Sequence, residues 1–234
     1  MNGPGLLALQ LIDNELDALA ALERRLPERA ALDAATSTHR TWAADRARLA
    51  AVADEASAAI AKTEQESAVI DTKRARLEQQ LKTIIAPREA EALMHEIDTL
   101  KANRSALDDA ELEAMEVQSE AEAAILALDD QEPTLVGAID AARAELDAAL
   151  AQIAADREAL VARRAAATEA LDAADVSAYA TLRDRFEGVG IVRLEGRMCS
   201  GCNLDLSAGE ADVVKSAPAD SLPECPHCGR LIVR

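Results

Sequence analysis

Apolar residues recur along most of this chain at alternating steps of three and four. The first such run is Leu9, Ile12, Leu16, Leu19 and Leu26, with Glu23 as its exception. Steps of this size place one apolar seam on a helix and predict that it packs against a second helix. Pro27 interrupts the run, and the seam resumes at Leu32, Ala35, His39 and Trp42 after a step of six. A proline that breaks the heptad phase predicts a kink near Pro27. From Trp42 to Ile84 the seam has thirteen positions, of which Trp42, Leu49, Ala53, Ala56, Ile60, Ile70, Leu77, Leu81 and Ile84 are apolar. Arg46, Thr63, Ser67 and Arg74 are the polar four. On this register His39 and Trp42 face the seam and serve packing.

The segment Ile85-Ala-Pro87 is the first real break after that. The pattern restarts at Leu93, Ile97, Leu100, Arg104 and Leu107. It continues through Ile125, Leu128, Leu135, Ile139, Leu146, Ile153 and Leu160 to Ala174. Pro133 lies inside this second run without shifting its phase, which predicts a kink rather than a stop. Two helical arms of matched length predict an antiparallel hairpin with its turn near 85–90. Partners across it have residue numbers adding to about 177, so that Leu6 lies near Leu171. A parallel dimer with residue 85 as a hinge is the alternative. The matched arms favour the hairpin, and with it a monomer. Met1–Gly5 reads as a flexible start.

The heptads give way near Asp175. Tyr179, Leu182 and Phe186 share one face of a short helix that ends near Gly188-Val-Gly190. These residues are expected to fasten the C-terminal segment to the base of the hairpin. That segment holds all four cysteines, Cys199-Ser-Gly-Cys202 and Cys225-Pro-His-Cys228. Two residues between paired cysteines let a tight turn aim both sulfurs at one point. Two such pairs supply the four soft ligands of a closed zinc site, one structural Zn2+ with no open position for substrate. Two disulfides would need an oxidising compartment, and a redox motif explains one pair only. An iron–sulfur centre shares the ligand set. His227 reads as a spacer. Gly201 inside the first pair and Gly229 after the second suit turns that need positive φ. Short strands at Ile191–Met198 and Arg230–Arg234 flank the cysteines, and Ser207-Ala-Gly-Glu210 reads as a capping box opening a short helix.

The reading is therefore a mostly α protein. A long antiparallel coiled-coil hairpin, residues 1–176 and kinked near Pro27, precedes a short junction helix and a small C-terminal β zinc ribbon, residues 177–234. Composition sharpens this. Half of the 234 residues are hydrophobic, yet there is one Trp, one Tyr and one Phe, a profile of Ala- and Leu-rich helices rather than an aromatic core. The net charge is −18. Residues 177–234 have 7 Lys+Arg against 8 Asp+Glu, and the remainder 18 against 35. An acidic helix pair repels phosphate backbones. The ribbon's Arg193, Arg197, Arg230 and Arg234 are the residues available for nucleic acid. No stretch approaches the ~18 apolar residues that span a bilayer, no leader is evident, and a cytoplasmic location is expected.

Together these features resemble a bacterial family of coiled-coil hairpin proteins with a C-terminal C4-type zinc ribbon, often catalogued as domain of unknown function 164. The resemblance is carried by Pro87-Arg-Glu-Ala-Glu-Ala-Leu-Met-His-Glu-Ile97, by Leu107-Asp-Asp-Ala-Glu-Leu112, and by Gly190-Ile-Val followed by the two cysteine pairs and Gly229-Arg-Leu-Ile232. Where members commonly have an aromatic after the turn, this chain has Arg88-Glu89-Ala90. The resemblance implies a non-enzymatic adaptor whose four cysteines hold zinc. It also implies protein partners bound through the coiled coil, the ribbon or both. Relatives are associated with sigma-54-class sigma factors, flagellar or secretion assembly and, in one lineage, messenger RNA. Nucleic-acid binding by the ribbon is the alternative function. No catalytic triad, phosphate loop or nucleotide fingerprint appears.

Overall fold

The computed structural model describes residues 1–218 and 221–234. Its elements in order are α1 (Gly3–Arg24), α2 (Pro27–Leu81), α3 (Pro87–Asp129), α4 (Glu132–Glu169), α5 (Ala173–Arg185), β1 (Ile191–Glu195), β2 (Met198–Cys199), α6 (Ala208–Ser216) and β3 (Leu231–Val233). The fold is a helical hairpin with a C-terminal zinc ribbon. By packing, the chain divides into residues 1–31 with 143–234, and residues 32–142. The expected boundary at 176/177 falls inside α5.

Prolines punctuate the helices as their missing N–H requires. Pro27 and Pro87 each open a helix, and the chain between Leu81 and Pro87 is the hairpin turn. Near Pro27 the helix stops at Arg24 and restarts at Pro27, with Arg25 and Leu26 between. Pro133 departs from expectation. The α-helix ends at Asp129 and restarts at Glu132 instead of running through. A ring at 133 clashes with the carbonyl four residues back and cannot donate to it. The backbone tightens there, with Gln131 N–H donating to Leu128 O at 2.8 Å. The N-terminus differs too. The stretch expected to be flexible is helical from Gly3, because Asn2 caps α1 by accepting from Gly5 N–H at 3.1 Å.

In residues 32–142, α2 runs antiparallel to α3. Leu77, Ile97 and Leu100 form the buried knot, with Ile70, Leu81 and Leu93 packed on it. Elsewhere the seam is thin, with Ala56 and Ala121 among its few buried residues. Polar clasps supplement it. Trp42 Nε1 donates to Leu128 O at 2.8 Å, the carbonyl that also accepts from Gln131 N–H at the Pro133 interruption. Arg46 pairs with Asp129 at 2.5 Å, and this hydrogen bond holds the Asp129 carboxyl below its ordinary range. Arg104 pairs with Asp71 at 3.5 Å. These partners follow the numbering rule of the hairpin.

In residues 1–31 with 143–234, the same rule places Asp13 against Arg164 and Glu15 against Arg163. A three-stranded sheet of order β2-β1-β3 lies beyond α1 and α5, with β1 antiparallel to β2 and parallel to β3. Alternation along a strand sends neighbouring side chains to opposite faces. Ile191, Leu231 and Val233 enter a core with Leu6, Leu7, Leu9 and Tyr179, and Leu171 packs against it as expected. Val192 and Ile232 enter a second core with Cys199, Cys225, Leu206, Ala211 and Val214. Both faces of this small sheet are therefore buried.

Candidate metal centre

Two chain turns of the same build carry the cysteines. In the first, Asn203 N–H donates to Cys199 O at 2.8 Å, and Cys199 N–H to Leu204 O at 3.1 Å. In the second, Gly229 N–H donates to Cys225 O and Cys225 N–H to Arg230 O, both at 2.8 Å. The residue after each second cysteine is left-handed, Asn203 at φ 56° and Gly229 at φ 73°. Asparagine tolerates that region better than most residues, which is why the first turn manages without glycine there. Gly201, expected to supply positive φ, does not. It is required for space, since a Cβ would meet Val192 Cγ1 at 2.6 Å and Arg230 Cδ at 2.8 Å.

These turns bring all four sulfurs within 4.8 Å of one another. Cys199 Sγ lies 3.9 Å from Cys228 Sγ, and Cys202 Sγ lies 4.0 Å from Cys225 Sγ. A tetrahedron of thiolates about 2.3 Å from zinc has edges of about 3.8 Å, so the cage fits the ion. Among the described residues this is the one group of three or more His, Cys, Asp or Glu so placed. The cysteines would hold one structural zinc, whose chemistry is to bind the two turns together. His227 stays outside the cage, 4.0 Å from Glu210.

The backbone prepares the thiolates. Burial pushes Cys199, Cys202 and Cys225 above the ordinary thiol range. Against it, N–H groups of Gly201 and Cys202 point at Cys199, that of Leu204 at Cys202, and those of His227 and Cys228 at Cys225. At Cys228 burial acts in the same direction, but hydrogen bonds from Arg230 and the neighbouring cysteines outweigh it and bring the thiol down to about 7.

The four ribbon arginines do not form one patch of free cations. Arg230 donates from Nε to Val189 O at 2.8 Å and lies over the Phe186 ring. Arg234 donates to the carbonyls of Lys215, Ala217 and Pro218, closing the C-terminal end of α6. Arg193 and Arg197 are exposed. The capping box at Ser207 and Glu210 forms as expected.

Two residues that hold the ribbon carried no periodic signal. Gln10 is 1% exposed. Its Oε1 accepts from Gly190 N–H at 2.8 Å and Ile191 N–H at 3.3 Å, and its Nε2 donates to Gly188 O at 2.7 Å. Asp13 is 2% exposed. It accepts from Tyr179 Oη at 2.7 Å and Arg164 Nε at 2.6 Å, with Arg183 Nε at 3.7 Å. Burial first, and the bond to Asp13 second, push the Tyr179 phenol well above its ordinary range. Tyr179 thus fastens the ribbon as expected, through a partner on α1 that spacing did not reveal. A polar residue inside the apolar run Leu6–Ile12 was the only available sign of Gln10.

Residues 9–187 match the family described as CT398-like coiled coil hairpin domain, and residues 198–232 match the C4-type zinc ribbon domain. The uncharacterized protein Rv2229c of Mycobacterium tuberculosis is 30% identical over 98% of this chain and 94% of its own length. A solved structure from Mycobacterium smegmatis is similar at a TM-score of 0.86 and 27% identity, covering 99% of this chain and 97% of the other. CT398 from Chlamydia trachomatis shares the fold at a TM-score of 0.80 and 20% identity, covering 98% and 95%.

Proposed function

Because the chain belongs to the family of CT398-like coiled-coil hairpin proteins and ends in a C4-type zinc ribbon, we propose that it acts as a non-enzymatic adaptor that binds a protein partner. One observation carries the reading. The helices leave large apolar side chains in solvent, with Val69, Met94, Leu112, Met115 and Leu126 each at least half exposed, and Ile85 in the turn is exposed as well. Such side chains on an extended helical surface mark sites of association more often than of catalysis. The closed sulfur cage supports it, since four cysteines leave zinc no position for a substrate. No described helix is long and apolar enough to cross a membrane.

Nucleic-acid binding by the ribbon has weaker support. Arg230 and Arg234 are committed to backbone carbonyls, which leaves Arg193 and Arg197 to contact phosphate. Affinity capture of the tagged full-length protein from its own cells, with and without nuclease, separates the readings. A protein retained stoichiometrically after nuclease is expected. Capture that is RNA alone, or proteins lost with nuclease, would overturn the adaptor reading.

A further inference from the structure

Between Arg104 and Arg143 the chain has no Lys, Arg or His. Ser105 to Ala142 is a stretch of 38 residues with 11 Asp and Glu. Most of it is α3, and the helix does not distribute its side chains evenly. The buried side follows Leu107, Ala114, Ala121, Ile125 and Leu128 toward α2. On the exposed side Leu112, Met115, Ser119, Ala123 and Leu126 follow one another at steps of three and four, so they lie in one line. Leu112 is 59% exposed, Met115 50% and Leu126 68%. Ser119 and Ala123 are small and exposed between Met115 and Leu126. They leave a dip with a large apolar residue at either end.

Carboxylates border this line on both sides, Asp109, Glu116 and Glu120 along one and Glu111 and Glu122 along the other. Among the described residues none of these five is ion-paired, while Asp108 pairs with Arg104. An apolar stripe left in water therefore sits in a field of uncompensated negative charge. That field decides the occupant. A second copy would bring two acidic borders together. Nucleic acid and anionic lipid would bring phosphate to carboxylate. A helix with an apolar face bordered by Lys and Arg matches both features.

We propose that the outward face of α3 from Asp108 to Leu126 docks a basic amphipathic helix of a partner protein. The stripe from Leu112 to Leu126 is 15 residues long, about 21 Å of helix, the reach of a four-turn segment. Apolar anchors at three- and four-residue steps fill the dip, and cations along its edges meet the two carboxylate borders. At physiological salt the screening length is about 8 Å, so the charges act at contact range and binding weakens as salt rises. The proposal rests on the adaptor reading and specifies its partner.

The test uses the full-length zinc-loaded protein and a fluorescent synthetic helix of leucine and lysine with one apolar face, read by anisotropy. Two further peptides serve as controls, one with glutamate for lysine and one of the same composition scrambled so that no apolar face forms. The variant Leu112→Ser/Met115→Ser/Leu126→Ser should weaken binding at least tenfold. Asp109→Asn/Glu116→Gln/Glu120→Gln should do the same. Glu145→Gln/Asp147→Asn/Glu158→Gln, an equal charge change elsewhere, should change it less than twofold. A photoreactive group on the peptide should label Asp108–Leu126, which needs no substitution. Unchanged binding by the serine variant, equal loss in the charge control, equal binding of the scrambled or acidic peptide, or labelling elsewhere would overturn the proposal. So would self-association that the serine variant abolishes, since it would give the stripe to a second copy. A lysate partner kept by the serine variant would refute this surface while leaving the adaptor reading intact. Absence of any protein partner on the wild type would refute that reading itself.

Discussion

Gln10 offers the sharpest test of how the ribbon is held. Its amide has one workable orientation, because backbone N–H groups can only donate and the Gly188 carbonyl can only accept. Substituting Gln10→Met keeps the length and removes every hydrogen bond. Gly190 N–H is buried and would be left without its 2.8 Å acceptor, at about 1–3 kcal/mol for an unsatisfied buried donor. Gly188 O would lose its 2.7 Å donor but lies nearer solvent and can take water, about 0.5–1 kcal/mol. The Ile191 bond is long at 3.3 Å and adds little. The sum is about 3 kcal/mol, which raises the local opening constant roughly 100-fold. Native-state hydrogen exchange reads this directly. The amides of Gly190, Ile191 and Val192 should lose protection by about two powers of ten, while those around Leu77 and Ile97 stay unchanged. Protection within threefold of wild type at Gly190 would mean that these groups find other partners, and the reasoning would fail.

Replacing Cys199→Ser should leave zinc substoichiometric by elemental analysis and unfold the ribbon, while far-ultraviolet circular dichroism retains most of the helical signal. Full zinc retention would contradict a four-ligand cage. Zinc uptake should release protons. Burial holds the Cys199, Cys202 and Cys225 thiols above their ordinary range, so these ligands must lose their protons to zinc. Zinc takes the thiolates, so its affinity rises with pH; an indicator dye counts the released protons. Trp42→Phe keeps the ring and removes the bond to Leu128 O. It should cost about 0.5–1.5 kcal/mol in urea unfolding, read by circular dichroism, while Trp42→Leu should cost more.

Much of this molecule was legible from local pattern. Heptad spacing places the arms and the turn because a helix presents every third and fourth residue on one side whatever its partner. Prolines at 27 and 87 open helices for a reason confined to their own rings. The cysteine spacing reads as a metal site because a two-residue turn already aims two sulfurs together. Where the outcome depended on a competition of several groups, local reading failed. Pro133 preserves the heptad phase, so spacing could not separate a kink from a stop. The structure settles it where the interrupted ladder is met by Trp42 and Arg46. Gly201 is needed for space rather than for positive φ because Val192 and Arg230 crowd it, and Asn203 takes the left-handed position.

What only the tertiary structure decided is how the ribbon is attached and which charges remain unpaired. Gln10 and Asp13 look like polar exceptions in an apolar run. Each acquires its meaning from groups some 150 to 180 residues away, and no local signal encodes a partner so distant. The same holds for the acidic stretch after Arg104. Its composition is plain in the sequence, but which carboxylates are neutralised depends on what α2 sets opposite them. A periodic seam states that a helix will be covered on one side. Only packing shows what the other side is left to offer.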